Sequence, residues 1–105
     1  MSATETIEVR DAPERERYEV TVDGVLAGHL DYMLREGLIA LVHTEVEEHH
    51  EGQGLGSRLI RFALDDARRR ELAVLPFCPF VKSFIERHRE YADLVPANMR
   101  PRFGL

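Results

Sequence analysis

The first half of the chain alternates between apolar and polar side chains. Ile7-Glu8-Val9 and Tyr18-Glu19-Val20-Thr21-Val22 place apolar residues at every second position, the period of a half-buried strand. Asp11-Ala12-Pro13 reads as a turn between them. Asp23-Gly24 is a two-residue hairpin signal, so residues 25–32 return as a third strand. Gly28 in the middle of that strand predicts a bulge or a close neighbour. Glu36-Gly37 makes a second hairpin turn. The run Leu38-Ile39-Ala40-Leu41-Val42-His43-Thr44-Glu45-Val46 follows as the fourth and most apolar strand. Together these strands predict an antiparallel meander.

The period then lengthens. Leu55, Leu59, Phe62, Ala63 and Ala67 fall on one helical stripe, flanked by Ile60 and Leu64. Arg58, Arg61, Asp65, Arg68 and Arg69 take the other face. The helix is expected to end near Arg70 or Glu71, where basic residues suit the negative end of the dipole. Leu72-Ala73-Val74-Leu75 predicts a short buried strand. Cys78-Pro79 opens a second helix, since proline suits the first helical position. Phe80, Val81, Phe84, Ile85 and His88 recur at helical spacing. Residues 91–95 are expected as a last strand, and residues 96–105, with Pro96 and Pro101, as a loosely held tail. Strand, helix and strand across residues 38–75 require a right-handed crossover, which makes the fourth and fifth strands parallel. The expected fold is α+β: a meander with one β-α-β crossover, one parallel strand pair and two helices. One domain covers residues 1–105, with its core at about residues 7–95.

Charge and cysteine count narrow the partners. A net charge of −5 argues against a nucleic-acid surface and against an anionic membrane. The one cysteine, Cys78, excludes an internal disulfide and fits a reducing compartment. No apolar run approaches the roughly 18–20 residues of a membrane helix. The start, Met1-Ser2-Ala3-Thr4-Glu5, lacks the basic-then-apolar order of a signal peptide, so the cytoplasm is the expected location.

Between the fourth strand and the long helix lies Glu51-Gly52-Gln53-Gly54-Leu55-Gly56-Ser57. Glycines at alternate positions there leave the first N–H groups of the helix bare, a ready site for a phosphate. Two familiar phosphate loops are excluded. No lysine precedes Ser57, as a P-loop requires, and the third glycine of a dinucleotide fingerprint is missing.

What remains resembles the GNAT acetyltransferase superfamily, whose acetyl-CoA loop reads Arg/Gln-x-x-Gly-x-Gly/Ala after a strand ending in valine. Here that stretch runs from Val46 through Glu51-Gly52-Gln53-Gly54-Leu55-Gly56. The resemblance covers roughly residues 7–95. It is closer still to a short bacterial GNAT-like subfamily, on His43-Thr44-Glu45-Val46, Glu51-Gly52-Gln53-Gly54, Cys78-Pro79-Phe80 and Glu90-Tyr91. The kinship implies acetyl-CoA as co-substrate and an acceptor of unknown identity, a small molecule or a protein amine. It implies that Gln53, Gly54, Leu55, Gly56 and Ser57 offer N–H groups to the CoA pyrophosphate, and that Val46 pairs its backbone with the pantetheine arm. Acetyl transfer is the implied function, with a CoA-binding module lacking amine transfer as the alternative.

This chain departs from the family's pattern in three places. Glu51 stands where most relatives carry Arg or Gln, with Glu45, Glu47 and Glu48 nearby, and Arg58 or Arg61 are expected to offset that charge. The tyrosine that many relatives use as general acid is replaced by Ile85 or its neighbours. Only residues 10–17 fill the gap where larger relatives insert two helices, so no lid fits.

Cys78 has two readings. At a helix start the dipole favours the thiolate, which can accept an acetyl group; a lone cysteine among Leu, Pro and Phe is also ordinary core filling. Glu45 is the expected general base, with His43 second on the same strand face. The run Glu47-Glu48-His49-His50-Glu51 reads as a solvated loop and not a metal site, because no further ligand follows at suitable spacing. Arg68-Arg69-Arg70 reads as a solvated helix end, with a contact to the CoA 3′-phosphate as the weaker alternative. Phe80 and Phe84 are expected in the core, and His88 as a helix-end cap.

Overall fold

In the computed structural model, which describes residues 4–105, a meander of four strands runs directly into a crossover helix. The expectation that no leader opens the chain falls partly on residues 1–3, outside the described residues. The strands are β1 (Ile7–Ala12), β2 (Arg17–Val22), β3 (Val25–Arg35), β4 (Leu38–Val46) and β5 (Ala73–Pro76). They form one five-stranded sheet in the order β1-β2-β3-β4-β5. All neighbours are antiparallel except β4 and β5, which are parallel as the crossover requires. The helices are α1 (Leu55–Arg69) and α2 (Pro79–Arg87).

Turn chemistry sets the meander. Asp23 and Gly24 both take positive φ, 50° and 82°, as a tight hairpin demands. Gly28 has the close neighbour expected of it: a Cβ there would lie 2.7 Å from the Glu45 carbonyl oxygen. The register between β2 and β3 shifts at the same place, after Val20. A second shift separates Asp31↔His43 from Tyr32↔Leu41, leaving Val42 as an extra residue on β4.

One face of the sheet and both helices share the core. Tyr18, Val20, Leu30, Tyr32, Ile39, Leu41 and Val74 meet Leu55, Leu59, Ile60, Ala63, Leu64 and Ala67 of α1 and Val81, Phe84 and Ile85 of α2. Each large aliphatic side chain buried in this way contributes about 1.5–3 kcal/mol. The buried stripe of α1 is rotated from the expected one. Ile60 and Leu64 are buried, whereas Phe62 is 37% exposed. Asp66 joins the buried side because the Tyr18 hydroxyl donates to it at 2.7 Å.

Four expectations need correction. Asp11 and Ala12 belong to β1, and the turn is the short 3-10 segment Pro13–Arg15, because Asp11 and Ala12 pair with Tyr18 and Arg17. Residues 91–95 form no strand: Arg89–Leu94 is a 3-10 helix, tied to α1 by Arg68, which donates to Asp93 and to the Glu90 carbonyl. The tail is packed. Arg100 donates to the Ala92 and Val95 carbonyls, and the buried Phe103 meets the Phe77 ring at 5.5 Å. Phe80 is 61% exposed, while Phe84 is in the core.

The opposite face of the sheet carries Arg10, Glu19, His29, Asp31, His43 and Glu45. Glu19 is 3% exposed and accepts hydrogen bonds from Arg10, Arg15 and Arg17 at 2.8–2.9 Å. The bond from Arg15 dominates and holds its carboxyl at about 2, against an ordinary 4.5. A lowered folded value means this contribution is complete above pH 4.5 and fades as pH falls toward 2. Urea denaturation should therefore find Glu19→Gln less stable than wild type near neutrality by roughly 2–3 kcal/mol, with the gap closing by about pH 2. A gap constant from pH 6 to about pH 2 would show that the three arginines do not hold an ionised Glu19.

Candidate functional site

The site lies where β4 outlasts β5. Parallel pairing joins residues 38–41 to residues 73–76 and no further. Pro76 has no N–H, Phe77 turns its N–H back to the Leu75 carbonyl, and Cys78 makes the last tie, donating to the Leu41 carbonyl at 2.9 Å. Residues 42–46 of β4 therefore have no strand on that side. The Glu47 N–H is used by the Ala27 carbonyl at 2.7 Å on β3, so alternation turns the backbone groups of Val46 toward the open edge.

Between this edge, the start of α1 and the first turn of α2 lies a cleft of about 550 Å³. Thr44, Glu45, Val46, His50, Glu51, Gly52, Gly54, Leu55, Gly56, Ser57 and Phe80 line it. Gly54, at φ 74°, occupies the position before α1, a backbone shape that favours glycine. No side chain caps the helix, and its first bond runs from the Arg58 N–H to the Gly54 carbonyl at 3.1 Å. The N–H groups of Gly54, Leu55, Gly56 and Ser57 have no acceptor among the described residues. The buried Leu55 side chain anchors this end of the helix.

Gln53 stands apart from the other predicted binding residues. It does not line the cleft; its N–H donates to the His50 carbonyl at 3.3 Å, and its side-chain oxygen lies 3.1 Å from His50 Nδ1. Gly56 has open space before it, since an added Cβ would meet only the Val46 side chain, at 3.8 Å.

The cleft is acidic at its rim, and the arginines expected to offset this are engaged elsewhere. Arg58 lines a separate groove beside β1. Arg61 donates to the Tyr91 hydroxyl and lies over the Phe84 ring. Arg68 pairs with Asp93, while Arg69 and Arg70 bind Asp66, so none of the three reaches a ligand in the cleft. Among the described residues, His50 is the only side chain in the cleft wall able to carry positive charge.

Cys78 sits at the start of α2, 3% exposed, with Sγ 3.3 Å from Thr44 Oγ1. Thr44 pairs with Leu30 on the helix side of the sheet, whereas Glu45 pairs with His29 on the other side. Cys78 and Glu45 thus flank β4 on opposite faces. The Glu45 carboxylate lies 3.4 Å from His43 Nε2 and 3.5 Å from His29 Nε2, and His29 is 3.6 Å from Asp31. His29 has no counterpart among the residues singled out from the sequence. An unbroken register from Arg35↔Leu38 sets His29 opposite Thr44, and only the extra residue at Val42 brings it to Glu45.

The three tyrosines all donate to carboxylates away from the cleft: Tyr18 to Asp66, Tyr32 to Asp11 and Tyr91 to Asp65. Burial, then the bond to a carboxylate, pushes the Tyr18 and Tyr32 phenols well above their ordinary value, so both stay neutral donors. Ile85 is fully buried. Among the described residues no group of three or more His, Cys, Asp or Glu side chains is arranged to hold a metal ion. No helix there is long and apolar enough to cross a membrane.

A profile of the GCN5-related N-acetyl-transferase family matches residues 17–94. The chain belongs to that family. The matched segment holds the glycine turn, both helices and the whole of the β4–β5 gap. A ribosomal-protein-alanine N-acetyltransferase from Brucella melitensis biovar Abortus 2308 is 25% identical, with a TM-score of 0.49. The alignment covers 77% of this acetyltransferase-family chain and 63% of that one, so the present chain spans less than two thirds of that protein. A search of curated proteins gives no match.

Gly56 offers a clean probe of the cleft. Gly56→Ala should leave stability unchanged or raise it by up to about 1 kcal/mol, because alanine is the better helix former. The added methyl enters the open space of the cleft, so a CoA bound at this turn should lose roughly tenfold in affinity, about 1.4 kcal/mol. Thermal melting and calorimetric titration check the two halves. Unchanged CoA binding in a stable variant would remove the ligand from this turn.

Proposed function

We propose that the chain transfers an acetyl group from acetyl-CoA to an amine, carried by a small molecule or a protein. The observation that carries this reading is the row of unanswered N–H groups at the start of α1, facing a cleft whose other wall is the free edge of β4. Gly54, Leu55, Gly56 and Ser57 donate to the pyrophosphate, and the helix dipole adds to the attraction. Gln53, its N–H already donated, supports the turn instead of binding. The backbone of Val46 pairs with the pantetheine amides as an added strand would. The thioester then lies over Thr44, at the gap.

Cys78 and Glu45 act from the two sides of that gap. On the helix side, Cys78 Sγ attacks the thioester carbonyl; a new C–S bond forms, the old one breaks, and the Cys78 proton passes to the departing sulfur, so CoA leaves as its thiol. The amine approaches from the opposite face, where Glu45, positioned by His29 and His43, takes its proton. The freed nitrogen attacks the acetyl carbonyl, the C–N bond forms, the C–S bond to Cys78 breaks, and a second amine proton restores the thiol. Direct attack by the amine on acetyl-CoA uses the same base and bypasses Cys78. The acidic rim and the burial of Cys78 favour a second reading, a module that binds CoA without transferring its acetyl group.

Intact mass spectrometry after incubation with acetyl-CoA separates these. The expected result is one added acetyl group, absent from Cys78→Ala. CoA binding with neither acetyl-protein nor acetylation of an amine panel identifies the module, and absence of binding at about millimolar ligand, near −4 kcal/mol, sinks the donor site. Glu51→Gln should tighten CoA binding roughly two- to fivefold at low salt, an effect that shrinks toward about 0.5 M salt as screening grows. An affinity gain independent of salt would point to a cause other than charge.

A further inference from the structure

The two outer edges of the sheet differ. β5 has four residues and ends on Pro76. β1 has six, pairs with β2 without a bulge, and has no strand on its other side among the described residues. The Thr6 carbonyl accepts the Asp23 N–H at 2.8 Å, and the Thr6 N–H donates to the Asp23 carboxylate at 2.9 Å. Even-numbered residues of this segment thus face β2, and alternation turns the backbone groups of Ile7, Val9 and Asp11 outward. Open edges invite pairing unless proline, a bulge or repelling charge blunts them. The charges on this edge are Glu8 and Arg10, of opposite sign.

We infer that β1 is an interface between two copies of this chain, joined antiparallel about a two-fold axis through Val9 into one continuous sheet. Backbone phase and charge together select that register. Val9 exchanges both hydrogen bonds with Val9 of the second copy, and Ile7 does so with Asp11 in each direction. Glu8 then meets Arg10 of the second copy, twice, on the sheet face away from the helices. The neighbouring registers with the same backbone phase set Glu8 against Glu8, or Arg10 against Arg10. Arg10 is more than half exposed and uses one of its five N–H donors on Glu19, which leaves others for Glu8. Asp11 comes opposite Ile7 with its carboxylate already bonded to Tyr32.

On the helix side of the seam, Ile7, Val9 and Phe62 line a groove of about 390 Å³ beside this edge together with Arg58, Arg61 and Asp65. Phe62 is the member of α1's apolar stripe that the chain leaves partly exposed, and a second copy along β1 covers it.

Sedimentation velocity and amide exchange on the whole chain test this. At about 100 μM, where a pair held by roughly −6 kcal/mol or better forms, the expected mass is that of two chains, with the Ile7, Val9 and Asp11 amides protected. Val9→Pro removes an N–H that no bond within the chain uses, so its circular dichroism should match wild type while its mass falls to one chain. Glu8→Lys, which turns both cross-pairs repulsive, should weaken the dimer roughly tenfold or more. A single-chain mass with freely exchanging amides at Ile7, Val9 and Asp11 overturns the inference. So does a Glu8→Lys variant that dimerises like wild type, or a single chain carrying a co-purified peptide at this edge.

Discussion

Pairing between β4 and β5 stops at Leu41, and the site depends on that stop. Pro76 cannot donate to a ladder, and the chain turns at Phe77 into α2. Beside the same point β4 carries its extra residue, Val42, which strengthens the local twist. The outer half of β4 is left with backbone groups on one side that no strand answers. Buried groups of that kind are costly, so a protein keeps them only where water or a ligand reaches them. The cleft supplies that access, and the glycine turn lining it supplies a second set of unanswered groups. One truncated pairing thus yields both an edge for an extended arm and a pocket for an anion.

The strongest perturbations of ionisation lie away from this cleft. Burial, opposed and outweighed by bonds from Tyr18, Arg69 and Arg70, leaves the Asp66 carboxyl below its ordinary value. Tyr18 and Tyr32 are pushed up, and Glu19 is held down by Arg15 of the turn after β1 and then by Arg17 of β2. Perturbed groups often mark catalytic sites. Here they mark the joints of the scaffold: Asp66 ties the far end of α1 to β2, and Glu19 clamps the first hairpin. A fixed far end of α1 holds the near end, with its bare N–H groups, at a constant distance from β4. The cleft itself relies on backbone dipoles, which do not titrate.

The elements legible in the sequence were those set by local chemistry. Residues 38–46 form the predicted fourth strand residue for residue, because an apolar run between Glu36-Gly37 and an acidic loop has one reading. Pro79 and the Gly54 turn start the two helices where the capping pattern places them. The failures are non-local. Leu94 and Val95 favour a strand in isolation, yet Arg68, far along α1, holds that segment as a 3-10 helix. The tail looked loose because its partners, Ala92, Val95 and Phe77, are contacts of tertiary packing. The turn before α1 was readable from its glycines, but the use of the Gln53 N–H by His50 was not, since it depends on the 3-10 segment Glu48–His50. His29 was hidden by a one-residue bulge, which the alternation pattern alone does not reveal.

The proposed donor is a polyanion, and an acidic protein that binds one needs a reason why its own charge does not prevent it. Backbone donors provide one: their partial charges are fixed by geometry and face the cleft, whereas Glu51 is exposed and screened. The remaining repulsion has a limited effect on the proposed reaction. It weakens acetyl-CoA and CoA alike, and an interaction felt equally by the bound donor and the transition state leaves the barrier between them unchanged. The opposite face of β4 carries carboxylates for a different purpose. An amine arrives there protonated and must lose that proton before it can attack. In the proposed reaction Glu45, flanked by two imidazoles, stabilises the cation on arrival and accepts its proton before the new bond forms. On that proposal, negative charge opposes the donor at the cleft rim and recruits the acceptor on the other face of β4.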